Sequence, residues 1–136
     1  NVAYIDSLRK AYELDKSFGE PAVMYAQALV ELGKNKEAKS IIDSIPENNL
    51  INTKFINFFV QIKRFDLVVK NFEQLVLEKP QDYQLKISLA VAYLQNGEKD
   101  KAIKTIQEVG EVVPQFKKQA DYLISEIKAG RNPIDK

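Results

Sequence analysis

The sequence contains no histidine, no cysteine and no tryptophan among its 136 residues. Without histidine and cysteine there can be no Ser-His-Asp or Cys-His nucleophile system, no zinc site with nitrogen or sulfur ligands and no disulfide. Catalysis would depend on carboxylates, Lys, Tyr or hydroxyl groups, and the sequence has no Gly-rich phosphate loop and no calcium-loop spacing. We therefore expect a protein that is not an enzyme and that uses neither a cofactor nor a metal.

The sequence also lacks an excess of charge of either sign and a long apolar run. The sequence has 20 Lys and Arg residues and 19 Asp and Glu residues. The resulting net charge of +1 gives no long-range attraction for nucleic acid. No apolar stretch approaches the roughly 20 residues of a membrane-spanning helix, and the start does not resemble a signal peptide. We expect a soluble segment without direct membrane insertion. Its compartment, cytoplasmic or periplasmic, and any attachment to a membrane protein are left open.

Apolar residues recur with the period of an amphipathic helix in three segments that each end at a proline. In the clearest segment they occupy Phe65, Val68, Phe72 and Leu75, before Pro80. The other two segments run from Ala38 to Ile45 and from Ala102 to Val113. Each follows another segment of helical period across a short polar joint, so the chain reads as helical hairpins in series.

The hairpins recur at a regular interval. Pro80 and Pro114 lie 34 residues apart, and so do Lys63 and Gly97, whereas Gly33 and Lys63 are separated by 30. Gly33 and Gly97 stand where a helix would close with a left-handed residue. A helix-turn-helix period of 34 residues is the length of a tetratricopeptide repeat.

The sequence resembles the tetratricopeptide repeat family most closely between Tyr83 and Phe116. There, small residues occupy the two positions at which paired helices approach, Ala90 and Ala102. The other signature positions hold Leu89, Tyr93, Gly97, Ile106, Val109 and Pro114. The resemblance implies an all-α fold, an α-α superhelix or right-handed solenoid of antiparallel helix-turn-helix repeats.

The same resemblance divides the whole chain into one array. The expected parts are the second helix of a truncated repeat over 1–18, a short repeat over 19–48, a degenerate repeat over 49–82 with Lys63 in place of the usual glycine, the best-matching repeat over 83–116, a capping helix over 117–130 and a tail over 131–136. Because the array starts in mid-repeat without an initiator Met, we expect a fragment of a longer protein, with self-association through the exposed N-terminal half-repeat as one consequence.

The resemblance further implies a protein-protein interaction scaffold that binds a peptide or a partner domain on the concave face built from the first helices. The positions that face inward in the family correspond here to Val23, Gln27, Val30, Thr53, Asn57, Val60, Gln61, Ile87, Val91 and Leu94. They combine an apolar stripe with amides able to bind a peptide backbone.

Two alternatives stay open. The apolar members of this stripe could be intramolecular packing residues, and the array could be a C-terminal accessory domain of a bacterial membrane protein or enzyme, such as an O-antigen type polysaccharide polymerase or ligase. The aromatic cluster Phe55, Phe58 and Phe59 adds one expectation. These three side chains cannot all point the same way along a helix, so an exposed Phe58 would mark a contact surface.

Overall fold

A computed structural model describes residues 2–133, so Asn1 of the predicted first helix and residues 134–136 of the predicted tail lie outside the described residues. Residues 2–133 contain α-helices and 3-10 turns and no strand, which confirms the predicted all-helical class. The helices are α1 (Val2–Leu14), α2 (Gly19–Glu31), α3 (Asn35–Asp43), α4 (Ile56–Gln61), α5 (Phe65–Glu78), α6 (Tyr83–Gln95), α7 (Lys99–Val112) and α8 (Lys117–Lys128). Short 3-10 turns occupy Glu47–Leu50, Thr53–Phe55 and Pro114–Phe116.

Left-handed residues end several of these helices. Gly33 and Gly97 have φ angles of 78° and 79°, which confirms the caps predicted from the sequence. At the equivalent turn between α4 and α5, Lys63 adopts a φ of 60°. A residue with a β-carbon pays a steric cost in this conformation that glycine avoids.

The chain divides into two compact units, an N-terminal unit (Asn1–Leu67) and a C-terminal unit (Val68–Lys136), with the boundary inside α5. The helices fall within the repeat ranges given above: α2 and α3 lie within 19–48, and α6 and α7 lie within 83–116. The division into individual repeats stays a prediction.

In the N-terminal unit, α2 packs against α1 on one side and α3 on the other. Ala26 and Ala38 are fully buried, which lets the helices approach closely. The rings of Tyr12 of α1 and Tyr25 of α2 pack with their centroids 5.7 Å apart and their planes tilted by 33°. Leu8 is the buried residue of α1, and the exposed apolar residues of this helix are scattered around its axis. Self-association through α1 therefore stays a prediction.

An ion-pair cluster ties the end of α3 to the start of α5. The Arg64 guanidinium donates to both carboxylate oxygens of Asp66 at 2.9 Å and to Oδ1 of Asp43 at 2.7 Å. The hydrogen bonds from Arg64 lower the pKa of Asp66. Arg64 is only 20% exposed, so its bidentate contact with Asp66 fixes the position of the turn before α5.

The region around α4 departs from the sequence-based expectation. Phe55, Phe58 and Phe59 are all buried, at 6%, 4% and 0% exposure, so Phe58 is not the exposed residue that would have marked a contact surface. The reason is that Phe55 belongs to the 3-10 turn Thr53–Phe55, outside the register of α4. Phe58 belongs to the core and does not mark a contact surface.

In the C-terminal unit, α7 packs against both α6 and α8. Its core contains Ala90 of α6, Ile106 of α7, and Ala120, Leu123 and Ile127 of α8. The buried face of α8 is thus the face that packs on α7. Among residues 2–133, no helix combines the length and the apolar character that crossing a bilayer would require.

Candidate functional site

A groove of about 470 Å³ opens on the C-terminal unit, where α6 and α8 flank the end of α7. We call it the α6–α8 groove. Its lining consists of Tyr83, Gln84 and Ile87 from α6, Val109 of α7, Val113, Phe116, Gln119 and Leu123 from the turn and α8, and Pro133. The volume lies within the range of sites that bind small molecules, about 300 to 1,000 Å³.

Small residues on three helices bring the walls of this groove together. Ala90 and Ala102 are fully buried, so α6 and α7 pack closely as the sequence predicts. Gly110 does the same between α7 and α8, because a β-carbon at this position would lie only 2.8 Å from the β-carbon of Ala120. The groove is therefore held between two tight helical hairpins.

The chemistry of the α6–α8 groove is apolar with a polar rim. Within the described part of the chain, none of the side chains that line it carries a charge. Gln84 and Gln119 are exposed and bring amide groups to its edge. An amide side chain both donates and accepts hydrogen bonds, so these two residues can pair with the backbone of a bound chain.

A second cleft of about 370 Å³ lies on the same unit and has a different character. Its lining includes Glu73, Tyr93, Lys101 and Glu108, so charges of both signs meet there. The Tyr93 hydroxyl donates to Oε2 of Glu73 at 2.8 Å. Burial is the larger cause of the raised pKa of Tyr93, and this hydrogen bond to a carboxylate is the second cause. The contact stabilises the packing of α5 against α6, and the alternating charges offer no field of one sign to a ligand.

Three of the predicted binding residues belong to the C-terminal unit, and the structure places them differently. Ile87 lines the α6–α8 groove. Leu94 is partly buried and packs against the core, which agrees with the alternative that it is an intramolecular packing residue. Val91 is half-buried and does not line the groove.

The predicted residues of the N-terminal unit are spread over several environments. Val30 and Gln61 line a small cleft of about 190 Å³ together with Lys63. The remaining accessible residues are Asn57 and Val60, which are exposed, and Gln27 and Thr53, which are half-buried.

The prediction that Val23 binds a partner is wrong, because this residue is only 1% exposed and belongs to the core. It lies one turn beyond Gly19 along α2, on the face approached by the 3-10 turn Glu47–Leu50. A partner therefore cannot reach its side chain.

Sequence reasoning missed most of the groove. It assigned binding to the first helices alone, whereas the groove takes its floor from the end of α7 and one wall from the turn that leads to α8. Val109 and Val113 are four residues apart and share a face of the chain at this point, a pattern that signals a continuous apolar surface. No local sequence pattern predicts that Pro133 lines the groove. Within residues 2–133, no group of three or more acidic side chains is placed to hold a metal ion.

The helical hairpins and the open groove define a helical-repeat protein. A sequence comparison agrees, because the family model described as tetratricopeptide repeat matches residues 61–127. The match spans just under half of the 136 residues, and it supports an assignment to the tetratricopeptide repeat family. Neither the curated proteins nor the solved structures give a match to the chain. Tetratricopeptide repeats generally mediate protein-protein interactions and are typically non-catalytic.

Proposed function

We propose that this protein is a non-catalytic interaction module that binds an uncharged, apolar segment of a partner protein in the α6–α8 groove. The observation that carries the proposal is the lining of that groove, a space of about 470 Å³ between walls of aromatic and aliphatic side chains. The general role of the family in protein-protein interaction supports the same conclusion.

The lining also favours a particular partner chemistry. Apolar side chains gain free energy by leaving water for this surface. A charged side chain would lose its hydration there without finding a partner of opposite charge among the lining residues. We infer that the bound segment presents aliphatic or aromatic side chains and keeps its charges outside.

The rim glutamines favour an extended segment over a helix. In a helix the backbone groups are already paired with one another, whereas an extended chain presents free N–H and C=O groups. Gln84 and Gln119 are exposed at the edge of the groove and supply both donors and acceptors for such groups.

The experiment is a selection from a random-peptide phage library on the immobilised protein, followed by titration of the selected peptides. We expect peptides with apolar residues and few charges. A selection dominated by acidic or basic peptides would contradict the proposal, because the lining residues offer no charge to bind them.

Two adjacent valines provide a matched pair of variants. Val113 lines the groove, whereas Val112 is 56% exposed and does not line it. Val113→Lys should weaken binding by about tenfold or more, since placing an unpaired ammonium group in an apolar site costs more than the roughly 1.4 kcal/mol that this factor represents. Val112→Lys should leave the affinity unchanged. Equal losses in both variants, with unchanged thermal stability, would place the binding site elsewhere.

A further inference from the structure

The chain reverses direction after α8 through a well-defined cap. Gly130 has a φ of 83°, its N–H donates to the carbonyl oxygen of Ile127 at 3.0 Å, and the N–H of Arg131 donates to that of Glu126 at 2.9 Å. These paired bonds across a left-handed glycine form a Schellman motif. The chain therefore turns back between Gly130 and Pro133, which lies beside Gln119 and Leu123 of α8.

An ion pair strengthens this reversal. Arg131 donates from Nε at 2.8 Å and from Nη2 at 2.5 Å to Oε2 of Glu126. Glu126 is 20% exposed at its side chain and Arg131 is 65% exposed, so the carboxylate is anchored in the helix surface and the guanidinium closes over it. We call this contact the tail latch.

The reversed segment reaches the α6–α8 groove. Pro133 lines the groove together with residues of α6 and α8, such as Tyr83 and Leu123. Proline is uncharged and apolar, and Pro133 borders the same cavity as these aromatic and aliphatic side chains. It has the chemistry that the lining favours in a partner.

We propose that the segment Arg131–Pro133 is an intramolecular competitor for the groove, and that the tail latch sets how strongly it competes. The proposal rests on the proposed function, because competition requires that a partner segment bind there. It also specifies the partner further, as an extended apolar segment that contains proline and can replace Pro133 against the same walls.

The competition has a measurable consequence for affinity. When a site is free in only a fraction of the molecules, the apparent affinity falls by that fraction. Loosening the tail latch should raise the free fraction and tighten binding, although neither latch residue lines the groove. The latch is an exposed ion pair, so added salt should weaken it and tighten binding in the same way.

The test compares the native chain with Arg131→Gln and Glu126→Gln, using as probe a fluorescent peptide selected on the Arg131→Gln chain. We expect both variants to bind the probe on the order of threefold more tightly than the native chain. The matched control is Arg9→Gln, which removes another exposed ion pair, that of Arg9 with Asp6 in α1, and should leave the affinity unchanged. Salt should tighten binding to the native chain and not to Arg131→Gln.

Nuclear Overhauser contacts between Pro133 and the methyl groups of Leu123 and Ile87 report separately on whether the tail occupies the groove. We expect them in the free native chain and expect the peptide to remove them. Their absence from the free chain, or equal affinities in the native and latch variants, would overturn the competition and leave the proposed function intact. If no peptide binds any variant, the proposed function fails and the competition falls with it.

Discussion

A β-carbon on Gly19 would lie 1.8 Å from the backbone carbonyl oxygen of Asn49, so the start of α2 and the 3-10 turn Glu47–Leu50 touch backbone to backbone. The side chain of Asn49 reinforces this contact by donating from Nδ2 to the carbonyl oxygen of Ser17 at 2.8 Å. Only glycine leaves room for the turn at this place. The approach also explains why Val23, one turn further along α2, is buried.

Gly19→Ala should therefore destabilise the N-terminal unit strongly. The methyl group would have to displace backbone atoms, and overpacking of this kind costs about 1 to 3 kcal/mol or more. Gly33→Ala is the control, because a β-carbon there has no neighbour within 4 Å and meets only the strain of a φ of 78°. Urea unfolding should give a larger loss for Gly19→Ala, and a larger loss at Gly33 would contradict the close contact.

Lys63→Gly should stabilise the turn between α4 and α5. Lys63 has a φ of 60°, and this conformation costs a residue with a β-carbon about 1 to 2 kcal/mol. Glycine avoids that steric cost but loses up to about 1 kcal/mol more chain entropy on folding. We expect a net gain of about 0.5 to 1 kcal/mol in the free energy of unfolding. Lys63→Ala keeps the β-carbon and should give no such gain. Equal stability of the two variants would mean that the left-handed conformation is not strained.

Tyr93→Phe should cost about 1 kcal/mol, the net value of one hydrogen bond, here the one to Glu73. It should also change the response to alkaline pH. Because the folded protein raises the pKa of Tyr93 above the ordinary value of 10.0, the neutral phenol stabilises the fold below that pH, and this contribution is lost as the pH rises further. Thermal unfolding between neutral pH and pH values above 10 should show a steeper alkaline loss in the native chain than in Tyr93→Phe. Parallel curves would refute the assignment.

Gly110→Ala should destabilise the packing of α7 against α8, although alanine is the better helix former by about 1 kcal/mol. The new β-carbon would stand 2.8 Å from that of Ala120, closer than the two atoms can approach. Adding Ala120→Gly should restore part of the loss, since it removes the second β-carbon. A double-mutant cycle measures this coupling, and strictly additive effects would show that the two residues do not touch.

The helical hairpins were predictable from the sequence because their signals are local. The left-handed caps at Gly33 and Gly97 and the buried small residues Ala90 and Ala102 each follow from residue type and spacing, and the structure confirms them. The same repeat frame located Lys63 at a position where glycine is usual. These features depend on neighbours within one hairpin.

The site was less predictable because it depends on contacts between segments that are distant in sequence. Val23 was assigned to a surface, yet the 3-10 turn Glu47–Leu50, more than twenty residues later in the sequence, packs against α2. The α6–α8 groove includes Pro133, which reaches it through the reversal at Gly130. A helical repeat pattern carries no information about such a return of the chain.

Intermolecular nuclear Overhauser contacts between a selected peptide and the methyl groups of the protein show directly whether the peptide occupies the α6–α8 groove. We expect contacts to Ile87, Val113 and Leu123, which line the α6–α8 groove. We expect none to Val60 or Val112, which are exposed and lie outside the groove. Contacts to Val60 or Val112 without any to the groove methyl groups would show that the peptide binds elsewhere and that the proposed function of the groove is wrong.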